Sequence, residues 1–142
     1  MKRKNFIFIL IGILSICFIG ATVFFVSRGM SAANKQWEYF DVYRDKAEEY
    51  IKSDTEMLNK YGSNLSVKFD NSVTYSESRE RDFFDKYIEV FAPRVPDSLE
   101  EFTDGIDMIK FNVTISGEEY EITFEKNSLG ELVVTRLSEI KQ

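Results

Sequence analysis

The sequence predicts an α+β chain. An N-terminal transmembrane helix is followed by a long amphipathic helix packed on an antiparallel sheet of four to five strands that ends in a three-stranded meander. Three observations carry this expectation. Phe6 to Val26 contains no charged residue. Apolar residues between Trp37 and Tyr61 recur at helical spacing. From Ile109 to Val134 apolar and polar side chains alternate with period two, interrupted by two turn sequences.

The apolar run comes first. Its polar side chains are Ser15, Cys17 and Thr22, and as a helix it is about 31 Å long, close to the hydrocarbon thickness of a bilayer. A secretory signal has a shorter apolar core, and the small-residue pattern Ser31-Ala32-Ala33 lies beyond Arg28. Phe6, Ile11, Ile16, Phe18 and Val26 are therefore expected to be membrane-anchor residues. Lys2, Arg3 and Lys4 form a short basic tail that favours a cytoplasmic N-terminus and an outward C-terminal domain. The expected division is a basic tail over 1–5, a transmembrane helix over 6–26, a juxtamembrane linker over 27–32 and an extracytoplasmic domain over 33–142. Ser27-Arg28-Gly29 is placed to break or weaken the helix axis.

Beyond the linker, Trp37, Phe40, Ala47, Ile51, Leu58 and Tyr61 mark the apolar face of a helix from about Ala33 to Tyr61, with Gly62 as its stop. Leu65, Val67 and Phe69 read as a half-buried strand. The turn residues Asp70-Asn71-Ser72 then allow either a hairpin or a bulge before Val73 and Tyr75. Phe83, Phe84, Tyr87, Ile88 and Phe91 predict a helix over 78–92. Ser98 and Glu101 have capping-box spacing. Two turns, Ser116-Gly117 and Asn127 to Gly130, separate the last three strands.

Charge and composition exclude several chemistries. Residues 34–142 carry 14 basic and 24 acidic side chains, a net −10 that repels nucleic acid. The chain has no histidine, and its one cysteine lies in the apolar run. That removes the usual neutral-pH base, Ser-His and Cys-His nucleophiles and the common zinc ligand sets. No glycine-rich phosphate loop occurs. Asp70, Ser72, Thr74, Ser76 and Ser78 begin like an EF-hand loop, but Tyr75 stands at its glycine position and Arg81 at its bidentate glutamate. No cofactor or metal is expected. Carboxylates alone remain for catalysis, with Glu77, Glu80, Asp82, Asp85, Asp104 and Asp107 as candidates and no spacing that singles out a pair. The sequons at Asn64 and Asn112 matter only in a eukaryotic secretory pathway.

The element order over residues 33–142 resembles the cystatin-like or PepSY-like α+β domains of small membrane-anchored bacterial proteins. The segment Gly117 to Phe124, followed by Gly130 and an apolar strand, is similar to the end of such domains. The resemblance implies a fold and no activity, and the Gln-x-Val-x-Gly loop of cystatin inhibitors is absent. The overall layout also resembles type IV pilins and pseudopilins. Asn5 stands where those have the processing glycine, and Leu10 where they have the assembly glutamate. Leu14-Ser15-Ile16-Cys17 resembles a lipobox with Ile16 in place of its small residue.

The function expected is therefore a single-pass, non-catalytic domain that binds a protein or an envelope component outside the membrane. A filament subunit and a carboxylate-only hydrolase are the alternatives. Expected partner surfaces are the outer face of the meander, an open sheet edge, and the segment Ser76 to Asp85. Trp37, Tyr75, Glu77, Arg79 and Arg81 are the candidate contact residues.

Overall fold

A computed structural model describes residues 3–78 and 95–141. Arg79, Arg81, Lys2 and the helix expected over 78–92 lie outside the described residues, apart from Ser78 at its start. The chain divides into two compact units. Residues 3–35, with residue 95, belong to the first; residues 36–78 and 96–141 make up the second.

Helix α1 runs from Arg3 to Ser53. It therefore passes without interruption through the linker expected at 27–32. The reason is energetic. Gly29 in a helix interior costs only about 1 kcal/mol relative to alanine, and no proline removes a backbone donor.

The interruption comes later, at Asp54. Its extended backbone (φ −69°, ψ 125°) ends α1, and its carboxylate accepts a hydrogen bond from the Met57 amide at 3.0 Å. It thereby caps a second helix, α2, over Thr55–Tyr61. The break also shifts the helical phase. A straight helix would continue the inward stripe of Ala47 and Ile51 to Leu58; instead Met57 is buried, and Leu58 and Tyr61 are partly so. Gly62 ends α2 as expected, with φ +80° and its amide on the Leu58 carbonyl at 2.8 Å.

Among the described residues the sheet has four antiparallel strands in chain order: β1 Val67–Glu77, β2 Ile106–Ile115, β3 Glu118–Lys126 and β4 Leu132–Glu139. β1 is one bulged strand. Phe69 pairs with Val113 and Val73 with Phe111, so Asp70-Asn71-Ser72 is accommodated as extra chain. Asp70 fixes that bulge by accepting from the Asn71 amide at 2.7 Å and the Ser72 hydroxyl at 3.0 Å. Ser116 (φ 48°) and Gly117 (φ 95°) turn β2 into β3 with two left-handed residues, the geometry that matches strand twist. Between β3 and β4, the Asn127 side chain accepts from the amides of Leu129 and Glu131, each at 2.9 Å. A short helix, α3, covers Leu99–Asp104. The Ser98 hydroxyl accepts from the Glu101 amide at 3.1 Å, while the Glu101 carboxylate reaches back to the Asp97 amide at 2.9 Å.

One face of the sheet is the core. Ile109, Phe111, Val113 and Ile115 of β2 and Tyr120, Ile122 and Phe124 of β3 pack with Phe40, Tyr43, Ala47 and Ile51 of α1 and with Phe102 of α3. Several of the aromatic pairs meet edge to face. Tyr43 and Phe124 are 5.5 Å apart at 78°, and Phe40 and Phe102 5.1 Å apart at 86°. Polar ends of core tyrosines find partners at the rim: Tyr39 donates to the Pro96 carbonyl and Tyr43 pairs with the Thr103 hydroxyl, both at 2.8 Å. Within β3 the alternation of burial fails at Thr123. Thr123 faces away from the core yet is only 4% exposed, between Lys110 of β2 and Arg136 of β4 in the register.

Candidate functional site

Three surfaces could carry function: the apolar stretch of α1, an aromatic pair on α1 and β1, and the polar outer face of the sheet.

In the first unit, the helix over residues 7–26 presents its side chains outward. Ile11, Ile16, Phe18 and Val26 are exposed, Phe18 by 75%. Phe6 lies in the same helix. The most apolar window of this helix has a mean hydropathy of 2.7 and none of it is buried, which makes it a candidate membrane span by length and composition. Its two hydroxyls are satisfied internally. Ser15 donates to the Ile11 carbonyl and Thr22 to the Phe18 carbonyl, both at 2.9 Å. That is what a hydrocarbon environment demands, since it offers no other acceptor. Cys17 is a free, exposed thiol on this helix. The Arg28 guanidinium folds back to 5.9 Å from the Phe24 ring.

In the second unit, the structure brings Trp37 and Tyr75 together around Phe40. Their ring centroids lie 6.0 Å and 5.3 Å from that of Phe40, and both residues are about 40% exposed. Gln36 donates to the Tyr75 hydroxyl at 3.4 Å. The Arg44 guanidinium sits 5.2 Å from the Trp37 ring and donates to Asp41 at 2.9 Å and to the Asp70 carbonyl at 3.3 Å. Arg44 thus ties α1 to the β1 bulge. Glu77 sits half-buried at the end of β1, opposite Ile106.

On the outer face of the sheet lies an open groove of about 400 Å³. Lys68, Asn112, Thr114 and Glu119 line it, with Asp70 and Asn71 of the bulge at one end. One ammonium faces two carboxylates, so the groove has no cationic excess for a phosphate. The positions that resembled an EF-hand do not converge on a cation site: Asp70 is spent on its own bulge, and no group of three ligating side chains occurs among the described residues. Of the carboxylate candidates, Asp107 accepts from the Ser78 hydroxyl at 2.5 Å, while Asp104 offers its carbonyl to Lys126 at 2.8 Å. Glu80, Asp82 and Asp85 lie outside the described residues.

The densest polar cluster among the described residues was not anticipated from the sequence. At the C-terminal end of α2, the Lys60 ammonium donates to Glu118 at 2.5 Å and to the Tyr120 hydroxyl at 2.8 Å, and lies 3.7 Å from Glu139. The Tyr61 hydroxyl donates to Glu118 at 2.5 Å and pairs with Tyr120 at 2.8 Å. These contacts move the protonation equilibria. The hydrogen bond to Glu118 first, then those to the tyrosines, hold Lys60 well above the ordinary lysine value. Desolvation, then the Glu118 carboxylate, push the Tyr61 phenol up. Hydrogen bonds from Lys60 and Tyr61 lower Glu118. Each shift stabilises the protonation state already present at neutral pH. A sequence signal existed: Tyr120 alternates inward with Ile122, so its hydroxyl required a partner near the core rim.

No protein-family model, curated protein or solved structure matches this chain.

Proposed function

We propose that the chain is a single-pass membrane protein that holds an acidic α+β domain outside the cytoplasm and binds a protein or envelope component there. The observation that carries the reading is the helix over 7–26: outward-facing apolar side chains with both hydroxyls bonded within the helix. Water would not favour such a surface; lipid would. The basic tail Lys2, Arg3 and Lys4 supports the inward N-terminus.

The Lys60 cluster itself lacks the features of a catalytic centre. A general base needs a carboxylate raised toward neutrality and a nucleophilic lysine needs a lowered pKa. Glu118 and Lys60 move the other way. The half-exposed Trp37 and Tyr75 and the outer groove are the surfaces offered to a partner.

Alkaline extraction of membranes and protease digestion of intact cells test the anchor and its orientation. The chain should stay with the membrane pellet and its C-terminal domain should be cut from outside. Release into the supernatant would end the anchored reading, and protection of the domain in intact cells would reverse the topology. Cross-linking in intact cells followed by mass spectrometry tests binding, and the absence of any reproducible adduct counts against it.

A further inference from the structure

Among the described residues, the sheet order leaves β1 and β4 as its two edges. They differ. β1 is interrupted by its bulge, carries Lys68, Asp70 and Asn71, and has the Asp70 carbonyl occupied by Arg44. β4 reads Leu132-Val133-Val134-Thr135-Arg136-Leu137-Ser138-Glu139, with neither glycine nor proline. Its ladder continues by one residue, because the Ile140 amide donates to the Glu119 carbonyl at 2.8 Å. A register shift opposite Thr123 and Phe124 sets Thr135 apart, so the regular part of this edge is Arg136 to Ile140. Ile140, at its end, leaves 38% of its surface exposed.

We propose that this edge pairs antiparallel with β4 of a second copy of the chain, about a two-fold axis at Ser138. The inference names a partner for the domain and rests on the anchored reading, since confinement to one membrane raises the local concentration of copies. Charge selects both the partner and the register. The domain carries a net −10 overall, yet Leu132 to Lys141 holds Arg136, Glu139 and Lys141, so this edge lacks the acidic excess that repels another copy elsewhere. An axis at Arg136 would oppose two guanidiniums, and one at Glu139 two carboxylates. An axis at Leu137 would draw Thr135 into the ladder. An axis at Ser138 uses only the regular run. It sets Arg136 opposite the partner's Ile140 on the outer face, where the arginine stem covers the exposed isoleucine. Leu137 stays packed on the core of its own sheet. The pairing is isologous and closes, giving a dimer and no fibre.

Cysteine cross-linking of the full chain in detergent tests it, in a Cys17→Ser background. Opposed residues of antiparallel strands have Cα atoms about 4.5–5.5 Å apart, inside the range a disulfide spans. With a mild oxidant, Ser138→Cys should become mostly covalent dimer, whereas Asn112→Cys, on an interior strand of the same face, should stay monomeric. Without cross-linking, light scattering should give a protein mass of two chains. Ser138→Lys, which opposes two ammoniums, should halve it, and so should Ile140→Lys at its exposed site, with unchanged circular dichroism. Equal cross-linking at both cysteines, a monomeric parent chain, or a dimer indifferent to both lysines overturns the pairing. A chain found in the soluble fraction sinks the anchor instead, and the Ser138→Cys result then stands by itself.

Discussion

Phe18 and Phe124 are chemically identical and physically opposite, and truncating each to alanine separates the two halves of the fold. Phe124 is 2% exposed, with Tyr43 edge-on at 5.5 Å and Phe111 at 6.2 Å. Phe124→Ala removes a buried ring and leaves a void lined by two other rings, a change that costs about 3–5 kcal/mol. A domain stable by about 5–15 kcal/mol loses a large part of its margin. At a urea slope of about 2 kcal/mol per molar, the midpoint falls by about 2 M. Phe18 is 75% exposed on the apolar helix and supports no core. Phe18→Ala should leave that midpoint unchanged and, on the proposed anchoring, weaken only membrane retention. The chain contains a reporter for the measurement, because its one tryptophan, Trp37, lies against Phe40 and beneath Arg44. Urea titration in detergent, followed by Trp37 fluorescence, reads the domain. A midpoint that moves equally in both variants, or a shift in Phe124→Ala worth less than about 1 kcal/mol, would refute the assignment of core and anchor.

Other outcomes follow from the same contacts. Gly62→Ala forces a side chain into φ +80°, ψ 178°, a region essentially reserved for glycine, and should cost about 1–3 kcal/mol in the same urea titration, although nothing crowds the added methyl. Asp54→Ala removes the cap of α2 and should cost about 1 kcal/mol, with faster amide exchange confined to residues 55–61. Glu118 has its pKa lowered from 4.5, so its contribution is present above that value and is lost as pH falls through the lower folded-state value. Stability measured down an acid series should drop more steeply below about pH 4.5 in the parent than in Glu118→Gln. Lys60 is raised from 10.5, so its contribution is full below that pH and fades only above it, leaving the neutral range flat in this cluster.

Much of the fold was legible because period and turn chemistry agreed. β2 and β3 alternate over nearly their whole length, and Ser116-Gly117 and Asn127 to Gly130 supply the backbone conformations that hairpins require. The end of the long helix was misplaced, and the reason is local. Glycine after serine and arginine looks like punctuation, yet nothing at Gly29 forces the chain out of a helix. Asp54 looks like one more surface acid, yet it captures the Met57 amide. Propensity alone does not distinguish a residue that tolerates a helix from one that ends it, because the decision rests on a hydrogen bond. The phase shift that buries Met57 follows from that bond and was invisible to a stripe drawn straight through to Leu58.

The site was less legible than the fold because its members are distant in sequence. Trp37 and Tyr75 were both singled out, but their meeting over Phe40 depends on β1 being a single bulged strand and not a hairpin. A hairpin would have reversed the chain at Asp70 and sent Tyr75 back along it. The Lys60 cluster depends in turn on Gly62 stopping α2 where Lys60 and Tyr61 meet the start of β3. Once they are there, hydrogen bonds from Lys60 and Tyr61 lower the Glu118 pKa. The cluster therefore works as a clasp between α2, β3 and the end of β4, through Glu139. That same contact anchors one end of the run from Arg136 to Ile140. An edge whose charges nearly cancel, in an otherwise acidic domain, is where a second copy meets the least like charge.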